Sequence, residues 1–344
     1  NGKTTTKELI SSILSEGKNT IANEGNLNSE IGLCLAAFTV GKDHDIAVFE
    51  MGMNRKGEMD ILADIARPDI AVITNIGTAH IGLVGSRDAI AAEKKKITSR
   101  FTGTQTLFLY EEDQYFSFLS KDIAGKTISY GPRSLPGLQR VEELGLRGAD
   151  IFWKDMKLRL PLIGRYNALN CMAAISVAEY VGISEESIKR GIEKIRPMFG
   201  RSQILEGEIT VIQDCYNANA ESFATALDFF DSLRWEGRKI VVTGPMKELG
   251  DFSEEAHTRL GKRLADSTID YVFFFGEETK AAKDSFHTTV TEEKAFWSTD
   301  FGELERAIHS YVQTGDIVLL KGSRAAALER IGSVLSQRQG DQPC

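Results

Sequence analysis

"NGKTTTKELI" (residues 1–10) opens the chain, and its reading decides the fold. Gly2, Lys3 and Thr4 match the last three positions of a phosphate-binding loop, Gly-x-x-x-x-Gly-Lys-Ser/Thr, with Thr5 directly behind them. In such a loop a glycine-rich turn wraps the phosphates while the lysine and hydroxyl reach the phosphates and Mg²⁺. The first half of the loop, the buried strand that should feed it and an initiator methionine are not in the sequence. Either the stretch is no phosphate loop, or the sequence is cut inside one. Leu9, Ile10, Ile13 and Leu14 follow at helical spacing. A helix starting at the hydroxyl residue suits a phosphate loop, because its N-terminal amides and dipole face the anion. From these residues alone, an ordinary threonine-capped surface helix reads equally well.

Outward from this stretch, short apolar runs alternate with amphipathic ones. Strands are expected at 45–50, 69–74, 106–110, 209–215, 238–244, 271–276 and 316–322. Helices are expected at 58–66, 86–98, 220–233, 254–266, 302–312 and 324–336. Continuous Val/Ile/Phe runs bounded by Gly and Asp suit strands covered on both faces, so the class is α/β with largely parallel sheets. Residues 126–164 alternate more weakly, with turns at Gly131-Pro132 and Pro136-Gly137, and are expected as an antiparallel edge or hairpin. "IRPMFGRSQIL" breaks the rhythm, which then restarts; a domain boundary is expected near Gly200.

At 344 residues and 42% hydrophobic, the chain can fill two ordinary cores. A formal charge of -8 argues against nucleic acid as a main partner, since phosphate backbones are held by clustered Lys and Arg. It leaves ATP open, because a nucleotide site needs only a local positive patch and backbone amides. Cys34, Cys171, Cys215 and Cys344 are too dispersed for a zinc site or disulfide framework, which fits a reducing, cytoplasmic location. No apolar run is long enough to cross a bilayer, so no membrane insertion is expected.

Three polar residues stand at chemically telling places. Glu50 ends an apolar strand before a glycine-punctuated loop; ligands gather at such strand ends, so it is a candidate Mg²⁺ ligand or else a solvated carboxylate. The next strand leads to a loop carrying His80, weak evidence alone but stronger beside Glu50 and a phosphate loop. In "AIAAEKKKI", Ile90, Lys94 and Ile97 share one helix face while Lys95 and Lys96 point elsewhere. A lysine on an apolar face either snorkels out or is held for a purpose, with burial lowering its pKa.

In this order, "GKTTTKELI", "EGNLNSEIG", "FEMGMNRKGEMDIL", "TNIGTAHIGLVGSRDAIAAEK", "GRYNALNCMAAISVAEYVGIS", "DCYNANAESFATAL", "KELGDFSEEAHTRLG" and "VLLKGSRAAALERI" resemble the Mur ligase family of peptidoglycan synthesis over essentially the whole chain. The Tyr-Asn-Ala-Asn at 216–219 resembles the branch that adds D-Ala-D-Ala. The resemblance implies a P-loop ATPase-type central domain (1–199), then a Rossmann-like α/β C-terminal domain (200–344), in a monomer. It implies an ADP-forming ligase that joins D-Ala-D-Ala to UDP-N-acetylmuramoyl-tripeptide through an acyl phosphate, using ATP and Mg²⁺.

On this chain the resemblance places Gly2, Lys3, Thr4 and Thr5 at the ATP phosphates, with Thr4 on Mg²⁺. Glu50 and His80 fall at the ligands of a second Mg²⁺, and Lys94 at a lysine carbamylated by CO₂. Lys3, His80 and Lys94 are thereby the expected catalytic set. Asn167 and Asn170 fall near adenine, and Arg201, Asp214, Tyr216 and Asn217 at ATP-binding positions of the C-terminal domain. Asn219, Lys321, Ser323 and Arg324 fall at substrate-binding positions. Tyr166 replaces a family histidine, and Pro245 the aspartate of a Gly-Asp-Met turn. Members of the family carry a preceding domain for the UDP-sugar, so the sequence as written is expected to bind ATP poorly and to ligate little. A non-catalytic, weakly nucleotide-binding remnant and another ligase of the superfamily are the alternatives.

Overall fold

Helix α1 (Lys3–Leu14) starts at the lysine of the opening motif, and Leu9, Ile10, Ile13 and Leu14 are all buried beneath it. In the computed structural model, which describes residues 1–336, this helix belongs to the first of two units, Asn1–Arg196; the second begins at Pro197. Cys344 and the end of the expected second domain lie outside the described residues.

The first unit carries strands β1 (Thr20–Ala22), β2 (Ile46–Val48), β3 (Ile70–Ile73), β4 (Thr106–Tyr110), β5 (Lys126–Tyr130), β6 (Leu138–Glu143), β7 (Ala149–Trp153) and β8 (Met156–Leu160). Its further helices are α2 (Glu30–Phe38), α3 (Glu58–Ala66), α4 (Ile81–Val84), α5 (Arg87–Lys95), α6 (Phe116–Ser120), α7 (Arg165–Tyr180) and α8 (Glu185–Lys194). β1 and β2 pair in parallel, and β3, β4 and β5 form a second parallel sheet. The side of β2 and the side of β3 border a cleft of about 430 Å³ whose wall includes Lys3, Thr6 and Glu50.

Residues 126–164 are not one antiparallel hairpin. Helix α6 carries the chain back across the sheet, so β5 can only join β4 in parallel. The antiparallel part is a separate three-stranded meander, β6-β7-β8, turned at Lys154 in the left-handed region. Trp153 is fully buried there, its indole N–H donating to the Pro136 carbonyl at 2.9 Å.

One core in this unit gathers α1, α7, α8 and the meander. Helix α8 comes unusually near α1 because residue 191 is glycine: a Cβ there would lie 2.4 Å from the Ile13 Cα, and Ser12 Oγ donates to the Gly191 carbonyl at 2.7 Å. The approach fixes α1, and with it the helix start that carries Lys3 and Thr4.

The second unit contains strands β9 (Gln203–Leu205), β10 (Thr210–Asp214), β11 (Lys239–Thr243), β12 (Tyr271–Phe275), β13 (Ala295–Ser298) and β14 (Ile317–Lys321). They form one sheet in the order β13-β12-β11-β14-β10-β9, parallel except for β9. Helices α9 (Ala220–Ser232), α10 (Ser253–Ala265), α11 (Lys280–Phe286), α12 (Phe301–Tyr311) and α13 (Glu329–Ser336) complete it. Every residue of β11 and β14 is buried, as central parallel strands covered on both faces require. No described helix is long and apolar enough to cross a membrane.

Gly191→Val should destabilise the first unit, because the new side chain meets α1 backbone that cannot rotate away. A loss of about 1–3 kcal/mol is expected from such overpacking, measured by urea denaturation.

Candidate functional site

The first unit presents its polar groups around the start of α1. Gly2 is the N-cap, in the left-handed region at φ 77°, and no side chain caps the helix. An uncapped N-terminus keeps its partial positive charge for an anion. A Cβ on Gly2 would also lie 2.4 Å from Asn170 Oδ1, so glycine is required here for space as well as for backbone conformation.

Thr4 Oγ1 donates to Glu50 Oε2 at 2.6 Å, joining the opening motif to the strand-end acid. Glu50 is only 6% exposed, and its other oxygen accepts from Asn28 Nδ2 at 2.8 Å. Asn23 locks the backbone of the same residue, accepting its N–H at 2.8 Å and donating to its carbonyl at 3.0 Å. A buried carboxylate beside a hydroxyl at a helix start is a hard-oxygen donor set that suits Mg²⁺, with phosphate oxygens or water supplying the remaining ligands. Among the described residues no three His, Cys, Asp or Glu side chains form a metal-holding group.

His80 and Lys94 line a smaller cavity of about 60 Å³ together with Lys3, Thr74 and Asn75. His80 sits in the left-handed region at φ 64°, at the N-cap position of α4, with no side-chain cap bond. Lys94 Nζ donates to the Asn75 carbonyl at 2.9 Å. Lys95 instead reaches the Phe118 and Lys121 carbonyls, and Lys96 pairs with Glu93 and Asp60, so the three lysines diverge as their helical spacing implies. The Glu93 and Asp60 carboxylates raise the Lys96 pKa, whereas Lys94 turns toward the cavity.

Asn167 and Asn170 are buried in α7. Asn170 donates to Asn167 Oδ1 at 3.1 Å, and Asn167 donates to the Ile163 carbonyl at 2.9 Å. Thr5 is buried in the first turn of α1.

In the second unit Asp214 and Lys321 are register partners at the carboxyl ends of β10 and β14, and Lys321 Nζ donates to Asp214 Oδ2. Lys321 is 1% exposed and Asp214 19%, so the lysine's charge is desolvated and its partner half-buried. Asp214 Oδ1 also accepts from the Ser202 amide at 3.2 Å. The Arg201 guanidinium lies 4.1 Å from the centre of the Tyr216 ring, a cation–π arrangement. Asn217 Oδ1 accepts from the Ala218 amide, and Asn219 closes a capping box with Ser222 at the start of α9. Ser323 Oγ accepts from the Lys247 amide at 3.0 Å, and Arg324 pairs with Glu329 at 3.2 Å. Cys215, next to Asp214, is no nucleophile: burial and the Glu329 carboxylate push its thiol up to about 12.

Several supporting residues escaped the sequence reading. Asn23 and Asn28, which hold Glu50, fall in and beside "EGNLNSEIG", whose polar spacing carries no motif chemistry of its own. Tyr130 donates its hydroxyl to the Thr74 carbonyl at 3.0 Å beside the smaller cavity, a contact made across the sheet and invisible in a linear sequence.

A lysine and a hydroxyl opening a helix against a strand-end carboxylate, on a parallel sheet, place the first unit among the phosphate-loop α/β nucleotide-binding domains. The chain belongs to the Mur ligase family: residues 1–178 match the Mur ligase middle domain, and residues 200–324 match the family's C-terminal, glutamate ligase domain. It is 39% identical to the UDP-N-acetylmuramoyl-tripeptide–D-alanyl-D-alanine ligase of Treponema pallidum, over 98% of this chain and 73% of the relative. Among solved structures it resembles MurF from Acinetobacter baumannii, with a TM-score of 0.89, 30% identity, and coverage of 98% of this chain and 75% of that one. It also resembles the MurF ligase of Thermotoga maritima in complex with ADP, with a TM-score of 0.83, 28% identity, and coverage of 98% and 78%.

Breaking the buried charge couple should cost more than breaking an exposed one. Asp214→Ala, which strands Lys321, should destabilise the second unit by about 3–5 kcal/mol. Arg324→Ala should cost no more than about 1 kcal/mol. Urea unfolding followed by Trp235 and Trp297 fluorescence would compare the two.

Proposed function

We propose that this protein is an ATP-dependent, ADP-forming ligase that joins D-Ala-D-Ala to the free carboxylate of UDP-N-acetylmuramoyl-tripeptide. The observation that carries the reading is the hydrogen bond between Thr4 and the buried Glu50 at the start of α1, in a chain of this family. The γ-phosphoryl group of ATP passes to the substrate carboxylate and ADP leaves. The D-Ala-D-Ala amine then attacks the acyl carbon, loses a proton and displaces inorganic phosphate.

Each step gathers negative charge, so the work of the chain is positioning and electrostatic stabilisation. Lys3 and the first amides of α1 hold the phosphates, with Gly2 giving the backbone close approach and Thr5 completing the turn. Thr4 would hold Mg²⁺, which when bound neutralises phosphate charge; Glu50, expected with His80 at a second Mg²⁺, is bonded to Thr4, which favours the first metal for it. Asn167 and Asn170 anchor the nucleotide side of α7. His80 and Lys94 act from the smaller cavity. Lys94 borders a cavity of about 60 Å³ lined by Thr74, Asn75 and His80 and by Met51, Met53 and Met59. A carbamate formed there would replace a cation with one negative charge shared by two oxygens, able to support a second metal with His80. For the second unit, Arg201, Asp214, Tyr216 and Asn217 take nucleotide-binding roles, and Asn219, Lys321, Ser323 and Arg324 take substrate-binding roles. On this reading residues 1–199 and 200–344 are the two functional domains, and the protein is cytoplasmic, where ATP and the UDP-linked precursor are available. ADP release that requires both the tripeptide precursor and D-Ala-D-Ala tests the reaction; release that ignores the identity of the amine would reject it.

Lys94→Ala should lower ligation by about 100-fold or more, as losing a main electrostatic group does. Acetate should restore part of it by placing two oxygens in the vacated space; full activity without acetate would remove the carbamate from the scheme.

Glu50→Ala and His80→Ala should each raise the Mg²⁺ concentration for half-maximal activity by roughly 10- to 100-fold, the range typical of residues supporting a metal. Circular dichroism of each variant should match the parent, and an unchanged Mg²⁺ titration would exclude that residue as a ligand.

A further inference from the structure

His257 has no part in the reaction outlined above, yet it is wholly buried in α10 and both of its ring nitrogens are committed. Nδ1 lies 2.7 Å from the Ser253 carbonyl, an acceptor only, so Nδ1 carries the proton. Nε2 is then an acceptor, and it takes the Met246 amide at 3.0 Å. The ring is a neutral imidazole locked in one tautomer and spent on the loop that follows β11.

That loop is fastened to the turn after β14, the neighbouring strand. The Gly244 amide donates to the Lys321 carbonyl at 2.8 Å, the Ser323 amide to the Pro245 carbonyl at 2.9 Å, and the Lys247 amide to Ser323 Oγ at 3.0 Å. The two backbones approach through paired glycines: a Cβ on Gly322 would lie 2.8 Å from the Gly244 Cα. Pro245 has no amide hydrogen, so Met246 supplies the first free amide of the loop after Gly244, and His257 accepts it. Ser323 Oγ accepts from the Lys247 amide, and its single hydroxyl proton is what it can offer as a donor to a carboxylate.

We infer that His257 is a positioning residue which, by holding the Met246 amide, sets the 244–247 loop and so orients the Ser323 hydroxyl toward the carboxylate of the amine substrate. This rests on the ligase reading and adds to it the group that holds the loop to which Ser323 is bonded. The explanation also covers Pro245, the departure noted in the sequence: its carbonyl, not its side chain, is what the Ser323 turn needs.

The His257–Met246 brace is sensitive to pH. Protonation of Nε2 would set a donor against the Met246 N–H and break the brace. Burial lowers the His257 pKa below its usual 6.5; the Ser253 carbonyl and the Glu278 carboxylate act against this, while Lys247, which pairs with Glu278, acts with it. A depressed histidine pKa means that the brace is intact at neutral pH and is lost as pH falls through the lowered value.

The test compares the parent with His257→Ala and His257→Gln in the full-length protein. His257→Ala should raise the KM for D-Ala-D-Ala by about tenfold, the equivalent of one good hydrogen bond, with kcat and the KM for ATP little changed. Hydrogen exchange at the Met246 and Lys247 amides should quicken in the same variant. His257→Gln, whose amide oxygen can accept the Met246 N–H, should recover most of the affinity and should lack the acidic rise in D-Ala-D-Ala KM that the parent shows. An unchanged exchange rate in His257→Ala overturns the brace whatever the activity, and faster exchange with an unmoved KM overturns its link to Ser323. Should His257→Ala not fold, an acidic KM rise in His257→Gln equal to the parent's overturns the inference. A parent with no amine-dependent turnover counts instead against the ligase reading, and the exchange arm still decides the brace.

Discussion

A carboxylate out of water must be given partners, and much of the first unit's site can be read as the answer to that requirement at Glu50. Thr4 and Asn28 take its two oxygens, and Asn23 takes its backbone on both sides. Thr4 can do so only because α1 begins where it does. Helix α1 in turn is set by the close approach of α8 at Gly191 and by burial of its apolar stripe. The hydroxyl thus serves as an internal partner for the acid.

The second unit solves a comparable problem with a different device. Asp214 and Lys321 face each other in register across two parallel strands, so the charges cancel at the sheet edge where parallel α/β folds gather their ligands. Around them, polar side chains are already engaged: Arg201 on Tyr216, Asn219 in its capping box, Ser323 under Lys247. These contacts give each group one orientation, which limits the conformational freedom it has left to lose.

Much of this was legible in the sequence, for identifiable reasons. The strands 239–243, 271–275 and 317–321 each carry three or four consecutive Val, Ile, Leu or Phe residues because both faces are covered, and 210–214 carries Val211 and Ile212. The diverging lysines 94–96 could be read because helical geometry alone sends neighbours to different faces. What could not be read depends on contacts between distant segments. The short strands Thr20–Ala22 and Gln203–Leu205 have too few residues for a period to show, and β5 looked antiparallel because the short crossover helix α6 was not recognised. Asn23 behind Glu50 and the imidazole behind Met246 act on backbone groups, which leave no trace in side-chain patterning, and Asn28 meets the Glu50 carboxylate only through the fold.

The contact between Gly2 and Asn170 has a consequence for how these two positions can vary. Gly2 can accept no side chain without colliding with the Asn170 amide, and the amide is itself tied to Asn167. A larger residue at 170 would in turn press on the glycine turn at the head of α1. The phosphate end of one helix and the polar face of another are therefore mutually limiting surfaces. A change at either has to be answered at the other, so the two positions are expected to drift together in descendants of this sequence or not at all.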